Sequence, residues 1–488
     1  MSVFPPWMQH GFNALVSSLG RLDMAAGRVG MEIAGVDRAQ ARDLLRENEG
    51  SVDRDLERVG HWLGVRGALA DRKLTRRMTR PLRTLMVCPQ FRPLVGGYER
   101  AAERLSHGLI RNGHTVHVVT ERRDSSWPSR EVDGGLVIHR IPVSMSRGQH
   151  SITSVLSYFW FLLRHARTYD VIHVHQYDWA SAVAIAVGKL YGVPVVLKLT
   201  NTGQYGIDAC LSADRFLAMT KELHRRTEAI VATSDRAAIE VKEFGVPTER
   251  VHRISNPLDT DRFSPASPEQ RVEARSQIGV GPEFLAVTVG RVSSEKNHCM
   301  LVDAWTEFGP AEGEAMLHIL GDGPMMDELR AKVDASPARS TIRLLGKIED
   351  PLPWYRAADV FVLSSDVEGL SNSLMEALGA GLPMLSTRVS GAEDIAAAAE
   401  VGIMVEPGDA AAVARGLVTL SGDADARRRF GAAARTYACN HFAVDAVVEK
   451  TERMYARLLS ESSDSEFSVF AKTRMKSLEC RLKELLRV

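Results

Sequence analysis

Two glutamates eight positions apart, Glu368 and Glu376, frame the densest chemical signal in the sequence. The segment 368–391 reads EGLSNSLMEALGAGLPMLSTRVSG and follows an apolar run that ends in Ser364 and Ser365. Ser371 or Asn372 can cap a helix whose first turn holds Ser373, Leu374 and Met375. The glycines at 379 and 381 end that helix, and Pro383 stops its continuation. Free backbone N–H groups at the helix start, with the helix dipole, make a seat for an anion such as phosphate. Glu376, about one turn in, can reach sideways to a sugar hydroxyl, and Glu368 lies in the preceding loop. A carboxylate repels phosphate oxygens. Two of them beside a phosphate seat therefore point to hydroxyl-rich groups on either side, a ribose and a hexose. An ordinary capped helix with two solvated acids satisfies the same residues, so the other motifs must decide.

A second constellation follows an apolar run ending at Gly290. It reads GRVSSEKNH and places Arg291 and Lys296 five residues apart. Arg offers a planar fork and Lys a compact charge, a usual pair for a diphosphate. If both converge on the helix at Asn372, a departing diphosphate is neutralised without metal. A third feature is Gly96 and Gly97 in FRPLVGGYER, directly after another apolar run. Glycine there lets backbone approach a ligand, and a helix from Tyr98 would aim its N-terminus at the same place. Gly321, in GDGP, opens a similarly placed loop without the spacing of a dinucleotide fingerprint.

Some residues imitate function. Asp259-Thr260-Asp261 spells an acid-x-acid metal motif, but it sits in a proline-bearing stretch and reads as structural. His173 and His175, two apart on a strand, face one way. Zinc wants further ligands, and His175, at the strand end, is the one expected to reach a cleft. Trp160 and its neighbours in VLSYFWFLL are expected to pack a core.

These residues need a scaffold, and the chain can supply one. It has 488 residues, 45% hydrophobic and 25% charged, which suits two or three globular domains. Lys plus Arg and Asp plus Glu are 61 each, so no global field favours nucleic acid. Five scattered cysteines, an odd number without metal or redox spacing, fit a reducing cytosol. The first residues, MSVFPPWMQH, lack a signal-peptide pattern, and the apolar run at 155–163 is about half of the roughly 20 residues a membrane span needs.

From residue 84, short β-branched or apolar runs alternate with helical stretches, the pattern of parallel sheets covered by helices. The proline-bearing stretch 256–268 separates two such series and marks a crossing between domains. Residues 84–262 and 283–440 thus form two Rossmann-like, doubly wound α/β domains facing a cleft, with ligand outside the carboxyl ends of the strands. Residues 1–83 form a helical and basic extension. Within it, 39–59 resembles a small ubiquitin-associated-like helical hairpin, an irregular helical extension being the alternative. The stretch 66–83 has seven basic residues against Asp71, so it either touches anionic lipid or is a solvated linker. Residues 461–488 form a tail in which Met475, Leu478, Leu482 and Leu485 line one helix face.

Taken together, Gly96 and Gly97, GRVSSEKNH, GDGP, AADVFVLSS at 357–365 and EGLSNSLMEALGAGLP resemble the retaining family-4 glycosyltransferases of GT-B fold (glycosyl transferases group 1). The likeness runs from Leu82 to about Leu459 and includes the family's Glu, seven residues, Glu motif. It implies that Arg291 and Lys296 hold the donor diphosphate and that Glu376 binds the nucleotide ribose. Glu368 would contact the donor sugar. Backbone near Ser371, Asn372, Ser373, Leu374 and Met375 would hold sugar or phosphate, and Gly96, Gly97 and Gly321 would approach the donor. Residues 441–460 would form a helix crossing back to the first domain. Relatives often carry a His in the loop after the strand at 195–199; here it reads Thr200-Asn201-Thr202-Gly203, so no catalytic His is assigned.

The expected activity is transfer of a hexose from a nucleotide-diphosphate sugar, with retention, to a glycan, lipid-linked or other hydroxyl acceptor. Cell-surface polysaccharide or glycoconjugate synthesis is the expected setting. Uridine is the commonest base among relatives, with guanosine next. No metal, cofactor or nucleic acid is expected, and the nucleotide sugar is a co-substrate. The location would be cytoplasmic, with the basic stretch placing the protein at the inner face of the membrane. A sugar-nucleotide sensor or scaffold, and a GT-B epimerase, are the alternatives.

Overall fold

The computed structural model describes residues 80–463, apart from 95, 147–148, 200, 204–205 and 214. The helical hairpin expected at 39–59, the basic stretch up to residue 79 and the amphipathic repeat from Met475 to Leu485 lie outside the described residues.

Two sheets organise the chain. The first contains β1 (Arg83–Val87), β2 (Thr115–Arg122), β3 (Arg130–Asp133), β4 (Leu136–Pro142), β5 (Val171–Val174), β6 (Val195–Leu199), β7 (Ala229–Ala232) and β8 (Val251–Arg253). Its spatial order is β3-β4-β2-β1-β5-β6-β7-β8. The second contains β9 (Phe284–Val289), β10 (Ala315–Leu320), β11 (Ile342–Gly346), β12 (Val360–Leu363), β13 (Met384–Thr387) and β14 (Gly402–Val405), in the order β11-β10-β9-β12-β13-β14. Every pairing is parallel except β3 with β4. Strands such as Val171–Val174 and Val360–Leu363 are wholly buried, as parallel strands covered on both faces must be. Each large aliphatic side chain so buried contributes roughly 1.5–3 kcal/mol.

Chain order fixes where ligand can sit. In the second sheet the chain enters at β9 in the middle, runs outward to β11, then returns to β12 on the other side of β9. The loops leaving β9 and β12 therefore part in opposite directions and leave a crevice between them. In the first sheet the same switch falls between β1 and β5.

Helix α1 (Gly97–Arg111) follows β1, and helix α2 (Asp235–Glu243) follows β7. Helices α3 (Asn372–Gly379) and α4 (Ser390–Ala398) follow β12 and β13. The chain crosses between sheets near Leu258, which bridges to Ala443. Helix α5 (Val444–Ser463) then packs on the first sheet's side. Arg111 pairs with Asp445 at 3.0 Å, and Tyr455 contacts His173 at 2.7 Å.

Two expectations need correction. Trp160 is 44% exposed, because on the helix His150–His165 the inward face is taken by Val155, Tyr158 and Leu162. His175 does not reach the cleft. It is fully buried, stacked on His173 at 4.6 Å, with its Nε2 against Met86 Sδ at 3.4 Å.

Candidate active site

The loops leaving β9 and β12 are sewn together at the switch point. Ser364 donates its hydroxyl to the Lys296 carbonyl at 2.9 Å. The Asp366 N–H reaches the Glu295 carbonyl at 2.8 Å. Asn297, in the left-handed region at φ 46°, donates to both Asp366 carboxylate oxygens at 3.0 Å and caps the next helix through Met300 N–H. These contacts present Lys296 to Glu368, and the two form an ion pair, both largely shielded from solvent. Arg291 stands exposed at the mouth of the same loop, and among the described residues no hydrogen bond or ion pair ties it to α3. The structure thus brings Lys296 to Glu368, in the loop that leads into the helix start at Ser371.

Gly321, at φ 147°, lies against the end of β9. A Cβ there would sit 1.7 Å from the Gly290 carbonyl oxygen. That approach alone requires glycine, and it braces the Arg291 loop from beneath.

Helix α3 begins as its sequence suggests. Ser371 is the N-cap, its hydroxyl accepting from Leu374 N–H at 3.4 Å and meeting Ser373 Oγ at 2.9 Å. The Leu374 and Met375 side chains are buried in the second core, so only backbone can serve a ligand there. Asn372 spends its side chain across the cleft. Its Nδ2 donates to the Gly97 carbonyl at 2.9 Å, and its Oδ1 accepts from Asn256 at 3.0 Å. The two helix starts, α1 and α3, are thereby held together from different domains.

Glu376, one turn on, is 3% exposed. Arg104 of α1 donates to its Oε1 at 3.0 Å, and the buried Tyr355 hydroxyl donates to its Oε2 at 3.3 Å.

At the start of α1 the cap Gly96 has no side chain, and Glu99 curls back toward it. The Glu99 carboxylate is buried, accepts from Gln90 Nε2 at 2.8 Å, and is pushed above the usual carboxylate range by desolvation. A phosphate approaching Gly96 and Gly97 meets this group. A Glu three places after a cap is a known N-terminal signature that could have revealed it.

The loop after β6 is also anchored. The Gly203 N–H reaches both carboxylate oxygens of Glu240 at 2.9 and 3.1 Å, which leans the loop toward Val367 beside Glu368. Arg104, Tyr355, Asn256 and Glu240 were absent from the sequence-derived set.

The arrangement can neutralise a diphosphate, accept hydroxyls at two carboxylates, and close two domains over them. Comparison with known proteins identifies the family. Residues 95–262 match the family model for glycosyltransferase family 4, and residues 283–423 match that for glycosyl transferases group 1. The sulfoquinovosyl transferase of Arabidopsis thaliana is 25% identical over 376 residues, covering 73% of this chain and 70% of that protein. A GDP-mannose-dependent alpha-mannosyltransferase of Mycobacterium tuberculosis is 27% identical over 339 residues, 67% of this chain and 85% of that one. Among solved structures, Anabaena HepE in complex with UDP and glucose superposes with a TM-score of 0.64 at 17% identity over 77% of this chain and 100% of that one. Sucrose-phosphate synthase from Thermosynechococcus elongatus gives 0.68 at 19% identity, over 78% of this chain and 100% of that one. The chain belongs to the family-4, group 1 glycosyltransferases of GT-B fold, which transfer a sugar from a nucleotide sugar.

Proposed function

We propose that the enzyme moves a hexose from a UDP sugar to a hydroxyl of a glycan or lipid-linked acceptor, with retention at the anomeric carbon. The observation that carries this reading is the Lys296–Glu368 ion pair at the switch point between β9 and β12. A diphosphate entering there competes for Lys296 and frees Glu368 to accept hydroxyls from the donor sugar. Arg291, exposed beside it, adds a second cation, and the N–H groups at the start of α3 add the helix dipole. Charge developing on the leaving diphosphate is met by this set without calling on a metal or cofactor. The acceptor oxygen bonds to the anomeric carbon on the face that the diphosphate leaves. The carbon–oxygen bond to the diphosphate breaks, and a diphosphate oxygen takes the acceptor proton. Glu376 accepts the ribose hydroxyls.

Uridine is favoured by solved relatives in complex with UDP and UDP-glucose. The basic stretch at 66–83 favours an acceptor borne at an anionic membrane surface on the cytoplasmic side, as cell-surface glycan synthesis requires. The test is transfer from a panel of labelled sugar nucleotides, with the anomeric configuration of the product read by NMR. An inverted product contradicts the mechanism, and an unchanged rate in Glu368→Ala contradicts the site.

A further inference from the structure

Arg104 and Glu376 are 272 positions apart, on different domains, and meet at 3.0 Å. The surroundings make the pairing more than a surface contact. Side-chain exposure is 20% for Arg104 and 5% for Glu376. The same guanidinium lies 3.5 Å from the Pro257 carbonyl in the interdomain crossing and stacks over Phe263 at 5.7 Å. On the Glu376 side, Tyr355 supplies the other hydrogen bond but no charge. Arg104 is therefore the cation that a nearly buried carboxylate requires, and it comes from the facing domain.

A carboxylate with one donor on each oxygen still has lone pairs to offer. An open cavity of about 560 Å³ lies on the Arg104 side of the pair, with Arg100, Arg104, Glu349 and Pro351 in its walls, and Glu376 is not one of its lining residues. One turn earlier, Asn372 is tied to Gly97 on the same α1 helix. The face of α3 that carries Glu376 is accordingly fixed against α1 at two points.

We propose that Arg104 is a positioning residue for the donor ribose, supplied by the first domain to a carboxylate of the second. The proposal rests on Glu376 being the ribose carboxylate. Arg104 pairs with that carboxylate and orients it, so ribose recognition is complete only when the two domains are together. Donor selection and domain closure then share one ion pair.

The test compares a ribonucleoside diphosphate with its 2′,3′-dideoxy analogue by calorimetry, using whichever of UDP, GDP and ADP the wild-type enzyme binds best. Hydrogen bonds to a charged group are worth enough that wild type should prefer the ribose form by about tenfold or more. In Glu376→Gln the ratio should fall toward one. In Arg104→Met it should fall likewise, and Arg104→Lys should restore part of it. A merely structural Arg104 would alter thermal stability or overall affinity but leave the ratio alone. An Arg104→Met ratio equal to wild type, with Glu376→Gln collapsed, overturns the proposal and spares the ribose assignment. A wild-type ratio in Glu376→Gln, or no nucleotide binding at all, removes the ribose assignment and the proposal with it. If Arg104→Met does not fold, Arg104→Gln, which keeps a donor for Pro257, carries the same comparison.

Discussion

The side-chain amide of Asn372 donates to the backbone carbonyl of Gly97 at 2.9 Å, joining the first residues of two helices from different domains. A Cβ on Gly97 would lie 2.9 Å from that same nitrogen. Gly97→Ala should push the amide aside and misalign the two helix starts. Turnover is expected to fall by about tenfold or more, since small displacements near the reacting groups are costly. Stability should change by less than about 1 kcal/mol, because the displaced atom ends a flexible side chain. Steady-state kinetics and urea unfolding separate the two effects, and unchanged kcat would contradict the role given to this contact.

Asp394 ties the domains at a second place. It accepts from the Asp235 N–H at 2.8 Å and from Arg253 at 2.7 Å, beside a 2.6 Å bond between the Ser234 and Ser390 hydroxyls. Asp394→Ala should leave the Asp235 N–H, at the start of α2, without its carboxylate and loosen closure. Small-angle scattering should report a larger radius of gyration without nucleotide, restored when donor binds. Identical radii for variant and wild type would contradict a closing role.

The buried His173 and His175 should make the first domain acid-sensitive. Desolvation chiefly, with nearby Lys198, holds His173 down to about 3, and His175 lies well below the usual histidine value. Unfolded histidine takes its proton near pH 6.5. The stabilisation is therefore complete above about pH 6.5 and is lost as pH falls toward the folded value, at about 1.4 kcal/mol per pH unit for each group. His173→Gln should show a shallower fall in urea midpoint between pH 7 and pH 5. Equal slopes in variant and wild type would contradict this account.

No helix among the described residues is long and apolar enough to cross a membrane. The chain before residue 80 enters the fold through Arg80, paired with Asp170 at 2.6 Å. With its clustered cations, residues 1–79 should carry binding to anionic lipid. The 488-residue chain should sediment with phosphatidylglycerol vesicles at low salt, not with phosphatidylcholine, and a chain starting at residue 80 should not. Equal sedimentation of both chains would refute this.

The parts of the fold and site that rest on local pattern were legible. Alternating runs and a proline-bearing crossing give two doubly wound sheets, and Ser371 caps α3 as its type suggests. What escaped depends on distant pairing. Arg104 lies on an amphipathic helix where a cation is unremarkable, and nothing local links it to Glu376. The spacing of Arg291 and Lys296 left open what each touches, and the pairing of Lys296 with Glu368 and of Asn372 with Gly97 and Asn256 joins residues distant in sequence. The β3–β4 hairpin had a signal, Asp133-Gly134-Gly135, with both glycines at positive φ, but β3, REVD, is short and polar. His175 sits one residue past β5, and strand alternation alone could not tell whether a helix covers that face.

The central claim is that Lys296, paired with Glu368, is the diphosphate contact. It is tested most directly by thermal shift with UDP, GDP, ADP and their common sugars, on wild type and Lys296→Ala. A ligand at about 100 times its Kd stabilises by about 2.7 kcal/mol, a readable shift. The account predicts a shift with one nucleotide, UDP first, that is lost in the variant. The same shift in both proteins would contradict it.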